Sequence, residues 1–149
     1  MESAVYGMHR WFRWVIGRVD VHYRDRGLPF DNLGSWANIS NNDLSRFTPD
    51  DPNTYWGSEY ELVAEANTIA DNIGRANMPQ ERYNFYLGQV LTIRAWSYFY
   101  IIRNWGDAPY IIHAEDVGER GRMAWQDIAD AIIDDLKLAV GYLPRVNDL

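Results

Sequence analysis

Residues 82–109 read RYNFYLGQVLTIRAWSYFYIIRNWGDAP, and this stretch decides the fold. Its apolar and aromatic residues recur at Phe85, Leu87, Val90, Leu91, Tyr98, Ile101, Ile102 and Trp105, the three-and-four spacing of one helix face. The spacing predicts a helix over 81–104. Gly106 follows as a C-terminal cap and Pro109 forbids continuation. One residue breaks the stripe. Arg94 lies seven after Leu87 and four before Tyr98, which sets a permanent cation on the apolar line. A buried guanidinium needs a carboxylate or several carbonyls, so the helix is expected to pack against an element that supplies them.

Working outward, two further helices flank this one. Before it, a stripe of Tyr55, Leu62, Ala66, Ile69 and Ile73 predicts a helix that starts at Pro52, with Asp50 or Asp51 as cap, and ends in 74–79. Asn67 sits beside that stripe in mid-helix, where asparagine is a poor former, and is expected to hydrogen-bond a neighbouring backbone. The short break makes the two helices an antiparallel hairpin. After Pro109, residues 110–113 are expected to form an extended connection outside any sheet, and 114–121 are polar and turn-like. A last helix over 123–142 places Trp125, Ile128, Ile132, Leu136, Ala139 and Leu143 on one face, with Asp135 at its edge and Pro144 as terminator. Asp135 there, or Glu65 on the preceding hairpin, is the expected partner of Arg94.

Toward the N-terminus, a helix is predicted over 3–18, capped by Ser3 and facing inward with Val5, Met8, Phe12, Val15 and Ile16. Trp11 and Trp14 flank that face, placed either to pack in an interhelical groove or to meet a ligand. Residues 24–53 are dense in Gly, Pro, Asn, Asp and Ser and hold no sustained period. Loops of this length are uncommon unless functional, and Phe30, Trp36 and Phe47 argue for an ordered one. Trp36 beside Asn38, Asn41 and Asn42 offers a flat face for sugar C–H groups with amides that donate and accept. The plainer reading is a loop pinned by Trp36 whose amides make local turns.

Composition bounds the rest. The 149 residues, 47% of them hydrophobic, suit one domain, and Arg94 and Arg103 interrupt the only apolar run that approaches a membrane helix in length. No secretory signal follows Met1. The absence of cysteine excludes disulfides, thiolate metal sites and a cysteine nucleophile within these residues. A net charge of −7 argues against nucleic acid as partner, although Arg10, Arg13, Arg18, Arg24 and Arg26 make the first segment locally basic. His9, His22 and His113 are isolated, and no phosphate loop, serine elbow or distinctive carboxylate pair occurs. No cofactor, metal or catalytic residue is therefore expected in this chain.

Three segments in this order resemble the SusD/RagB family of outer-membrane nutrient-binding lipoproteins. They are Trp56-x-x-x-Tyr60 leading to Ala66-Asn67-x-Ile69 and Asn72-Ile73; Ile93-Arg94-Ala95, Tyr98-Phe99 and Gly106-Asp107-Ala108-Pro109; and Trp125 with Ile128, Ile132, Asp135-Leu136, Ala139 and Leu143-Pro144. The family's Glu-Ala-Arg-Phe-Leu-Arg-Ala is replaced by Gln89-Val90-Leu91-Thr92-Ile93-Arg94-Ala95, which strengthens the case that Arg94 finds its acid on another helix. The resemblance implies an all-α fold of tetratricopeptide-like packed helix pairs with one long irregular loop. The residues divide a single helical domain 1–149 into a first helix (1–23), the loop (24–53) and a helical core (54–144), and the resemblance implies that this is the N-terminal part of a longer protein. Trp56, Asn67, Arg94, Gly106, Asp107, Pro109 and Asp135 carry the structural motif. It also implies a non-catalytic receptor at the cell surface that binds a glycan or other nutrient and serves a TonB-dependent transporter of the SusC type, held to the outer membrane through a lipid anchor absent from this chain. Trp36, Asn38 and Asn41 are its expected ligand contacts, on composition alone. The alternative is a helical-repeat scaffold that binds a protein partner through Trp11, Trp14 and the basic first segment.

Overall fold

The computed structural model describes residues 1–27, 56–116, 118 and 120–145, with first-helix side chains described as far as residue 17. Four helices follow in order: α1 (Glu2–Gly27), α2 (Trp56–Ile73), α3 (Gln80–Trp105) and α4 (Trp125–Tyr142). Among the described residues the only β pairing is an isolated antiparallel bridge between Ala108 and Met123, so the fold is all-α. α3 is the spine: α2 and α4 both pack along it, and α1 closes one side by lying on α2 and α3.

α3 spans the expected stretch. Tyr83 donates its N–H to the Pro79 carbonyl at 3.0 Å, and Gly106 closes the other end at φ 74° with its N–H on the Ile102 carbonyl at 2.9 Å. A side chain would be strained at that φ, so glycine ends the helix there. Val90, Leu91, Tyr98 and Ile101 of the predicted stripe are buried, whereas Phe85 is exposed and Leu87 and Ile102 are half-buried. The buried surface extends to Ile93, Ala95, Ser97 and Tyr100, because neighbours cover α3 on more than one side.

α1 and α4 differ from expectation in ways their chemistry explains. α1 starts at Glu2, and the Met1 carbonyl accepts from the N–H groups of Ala4 and Val5 at 2.9 and 3.2 Å, so Ser3 lies inside the first turn and is not the cap. It also runs to Gly27, past the predicted ends at 18 and 23. α1 passes through Gly7 and Gly17 as well as its polar residues, and the first proline after Met1 is Pro29, two residues past its end. Val5, Met8 and Val15 are buried, Phe12 is half-buried and Ile16 lies off the stripe, exposed. The predicted start of α2 at Pro52 and the loop residues 28–53 lie outside the described residues.

α4 begins at Trp125 instead of Met123, because Met123 exchanges two main-chain hydrogen bonds with Ala108, at 2.9 and 3.2 Å. Its inward line is Ile128, Ile132, Asp135 and Ala139. Trp125 and Leu136, expected inside, are exposed, and Asp135, expected at the edge, is buried.

Two apolar clusters result. Val5, Met8, Val15, Leu62, Ala66, Ile69, Ile73, Tyr86, Val90, Ile93 and Tyr100 join α1, α2 and α3. Val63, Ala95, Tyr98, Ile101, Ala108, Ile128 and Ile132 join α2, α3 and α4. Each large side chain fully buried in them, such as Leu62 or Ile128, contributes about 1.5–3 kcal/mol relative to exposure.

Candidate functional site

The centre of the second cluster is polar. Arg94 donates from Nε and Nη2 to the two carboxylate oxygens of Asp135, both at 2.8 Å, a bidentate pair buried between α3 and α4. Its Nη1 donates to Oδ1 of Asn67 at 3.0 Å and to the Ile112 carbonyl at 3.3 Å. Burial alone would lower the Arg94 pKa, but the bonds and charge of Asp135 outweigh it and the pKa lies above its ordinary value. Asp135, not Glu65, is therefore the partner that the Arg94 position demanded.

The same node holds the connection from α3 to α4. Asn67 Nδ2 donates to the Ile111 carbonyl at 2.9 Å, and Tyr98 Oη donates to that same oxygen at 2.9 Å, which fills both its lone pairs. The Tyr98 hydroxyl in turn accepts the Ile111 N–H at 2.7 Å. Tyr60 Oη donates to the Pro109 carbonyl at 2.7 Å. Desolvation pushes the pKa of both phenols up, so each keeps the proton it donates. At the outer end, Asp71 accepts the Ala114 N–H at 2.8 Å and meets His113 Nδ1 at 3.0 Å. The Ala114 bond first, then His113, holds Asp71 below the usual carboxylate range, and Asp71 raises His113 in return.

Each residue of Gly106-Asp107-Ala108-Pro109 has a separate task in this arrangement. Gly106 turns the chain, Ala108 pairs with Met123, and Pro109 offers its carbonyl to Tyr60. Asp107 Oδ1 accepts the Trp125 N–H at 3.0 Å, and so caps α4, whose own N-cap residue Ala124 has no side chain able to do so. Trp56 covers the end of the site, its ring centroid 4.9 Å from Tyr60 and 5.2 Å, edge to face, from Trp105. Asn67 and Arg94 thus bond the connection to which Gly106, Asp107 and Pro109 belong, while Asp135 reaches it through Arg94 and Trp56 through Tyr60.

Other groups were not expected. Glu59 is fully buried on the line of Leu62, Ala66, Ile69 and Ile73, and neither carboxylate oxygen has a hydrogen-bond partner of good geometry. Desolvation pushes its pKa up to about 8, with Ser97 opposing slightly, so the carboxyl is largely protonated at neutral pH. The signal was in the spacing: Glu59 stands three before Leu62, the same kind of intrusion as Arg94. Gly88 was also missed, and there α3 meets the end of α4. A Cβ on Gly88 would lie 2.8 Å from Leu143 Cγ and 3.2 Å from Tyr142 Cβ. Trp36, Asn38 and Asn41, the expected ligand contacts, lie outside the described residues. Among the described residues no group of three or more His, Cys, Asp or Glu side chains is placed to hold a metal, and no helix is long and apolar enough to cross a membrane.

Comparison with known proteins agrees with this geometry. A SusD-like family model, described as starch-binding and associating with the outer membrane, matches residues 25–148. The chain therefore belongs to the SusD-like family. SusD-like protein P2 of Formosa agariphila is 27% identical over 110 residues, covering 68% of this chain and 22% of that protein. SusD-like protein P38 of the same organism is 30% identical over 117 residues, covering 73% and 22%. The chain spans about a fifth of the length of these relatives. Among solved structures, a laminarin-binding SusD-like protein superposes with a TM-score of 0.57 at 22% identity, over 63% of this chain and 21% of that one, which supports the fold.

Proposed function

We propose that this chain supplies the helical platform of a non-catalytic glycan-binding component in an outer-membrane uptake system of the SusC/SusD kind, which presents substrate to a TonB-dependent transporter. The observation that carries the reading is the family match over residues 25–148. The shared motif supports it, because its residues build a rigid frame and leave no reactive group assembled: Arg94 and Asp135 are consumed by each other, and Tyr60 and Tyr98 by main-chain carbonyls. In this reading Trp36, Asn38 and Asn41 contact the glycan, the indole against ring C–H groups and the amides on hydroxyls. The protein works at the cell surface, held there by a lipid anchor carried outside these residues.

The test is affinity electrophoresis and isothermal titration of the chain, alongside its full-length parent, against soluble polysaccharides. Laminarin is the first probe, since one neighbour in fold is described as binding it. Retardation by at least one glycan, weakened by Trp36→Ala, is the expected result. Unchanged binding by the Trp36→Ala parent would remove these three residues from the site, and absence of binding to every glycan by the parent would overturn the reading itself.

A further inference from the structure

α4 is apolar on two faces. Ile128, Ile132 and Ala139 line its buried side, and about a quarter turn away Trp125, Ile133, Leu136 and Val140 form a second line at helical spacing. All four are exposed, Val140 at 79% and Trp125 at 48%. The polar residues Gln126, Asp127, Asp130, Asp134 and Lys137 keep to the remaining side. A helix covered by one neighbour needs an apolar stripe about 100° wide, and α4 carries roughly twice that. The second face continues onto α3. Leu143, three after Val140, approaches α3 at Gly88, and the side of α3 beyond that contact is exposed at Phe85 and Phe99. At about 1.5 Å of rise per residue these two rings stand about 21 Å apart along α3, the length of a four-turn helix. Six of the twelve large apolar side chains exposed among the described residues thus lie on one side of the α3–α4 pair.

We propose that this face is the seat of an amphipathic helix from the polypeptide beyond Leu149 in the full-length parent. It is independent of what the protein binds. The length of the relatives supplies the occupant's source, since the chain spans about a fifth of them and the remainder must pack somewhere. The exit from α4 supplies the direction. α4 ends at Tyr142, and the chain leaves it through Leu143 and Pro144 beside Gly88, at the Phe85 end of the face. A helix entered after a short turn there runs antiparallel to α4, from Phe85 and Val140 toward Phe99 and Trp125, in the groove between α3 and α4. Arrays of helix pairs close the open face of each pair in this way, with the helix that comes next. A second copy fits less well, because each brings a net charge of −7 to the contact.

The 149 residues hold no cysteine, so single thiols report the face. The experiment is maleimide labelling of the purified full-length parent carrying Leu136→Cys or Val140→Cys, read at the α4 peptides by mass spectrometry. Asp134→Cys is the control, on the polar side of α4 where the native side chain is 74% exposed. Labelling of the two face thiols is expected to be about tenfold or more slower in the folded parent than in the urea-unfolded one, at any protein concentration, while the control reacts alike in both. In the dilute 149-residue chain the face thiols should react as fast as the control. Equal labelling of face and control in the folded parent overturns the proposal, and protection that appears only with the transporter present makes the transporter the occupant. Protection that fades as the parent is diluted assigns the face to a second copy, and protection kept in the dilute 149-residue chain assigns it to residues 1–149; either overturns the proposal. Ile133→Asp gives a second readout. It should lower the melting temperature of the parent, because it buries a charge against the incoming helix, whereas Asp130→Asn should not. A parent indifferent to Ile133→Asp would equally overturn the assignment.

Discussion

The two faces of the α2–α3 hairpin hold a buried charge in opposite ways. On the α4 side, Arg94 is met by a carboxylate on both forks, an amide and a main-chain carbonyl, and it stays ionised. On the α1 side, Glu59 lies in an apolar line with no oxygen properly bonded, and it keeps its proton. A guanidinium cannot shed its charge at any ordinary pH, so a fold that buries one must build a partner set around it. A carboxyl can become neutral, so it tolerates an apolar site at the cost of a pKa moved by several units. Hence the α4 side has a fixed register, set by directional bonds, whereas the α1 side is held mainly by non-directional apolar contact.

The largest test of that contrast is Asp135→Ala. It leaves Arg94 buried without its counter-charge, and a loss of about 3–5 kcal/mol in unfolding free energy is expected from chemical denaturation. The double change Arg94→Met/Asp135→Leu should recover most of the loss, and a double variant as unstable as Asp135→Ala would show that the pair is not the source. Next comes Glu59→Gln. Because the folded carboxyl holds its proton up to about 8 against 4.5 when free, stability is fullest near pH 4.5 and declines as pH rises toward 8. The amide variant should flatten that decline and be more stable at pH 8, by on the order of 2–4 kcal/mol, with little change at pH 4.5. Parallel pH profiles for the two proteins would refute the assignment.

Smaller effects probe where α4 is fixed. Gly88→Ala improves helix propensity by about 1 kcal/mol, yet it drives a methyl against Leu143 and Tyr142, and a net loss of about 1–2 kcal/mol is expected in thermal melts. A stabilised variant would show that the end of α4 yields easily. Asp107→Ala removes the cap of α4 and should cost about 1 kcal/mol. Faster hydrogen exchange at the Trp125 amide, with α2 unchanged, is the accompanying signature.

Much of this frame was legible in the residues. The spacing of Leu87, Arg94 and Tyr98 demanded a buried acid, and Asp135 is where it came from. The all-α class, the hairpin and the extended connection after Pro109 followed from period and breakers. Glu59 was equally visible by spacing, four after Tyr55 and three before Leu62 on the same stripe, but the stripe was read through its apolar members alone. The length of α1 was under-read because polar residues weaken a helix pattern without ending the helix. The Asp107 cap and the Gly88 contact depend on which elements meet in space, and no local pattern encodes them. The expected ligand contacts Trp36, Asn38 and Asn41 lie outside the described residues, so the frame and the glycan contacts rest on different grounds.

The tie at Ile111 has a consequence for exchange with solvent. Its N–H belongs to no helix or sheet, yet it is bonded to a buried phenol whose own proton is committed to the Ile111 carbonyl. Releasing that amide to water requires Tyr98 to leave the core, an opening comparable to separating α4 from α3. Ile111 should therefore exchange as slowly as the central amides of α3, a long-lived proton in a stretch that by its irregular backbone would be expected to lose it first.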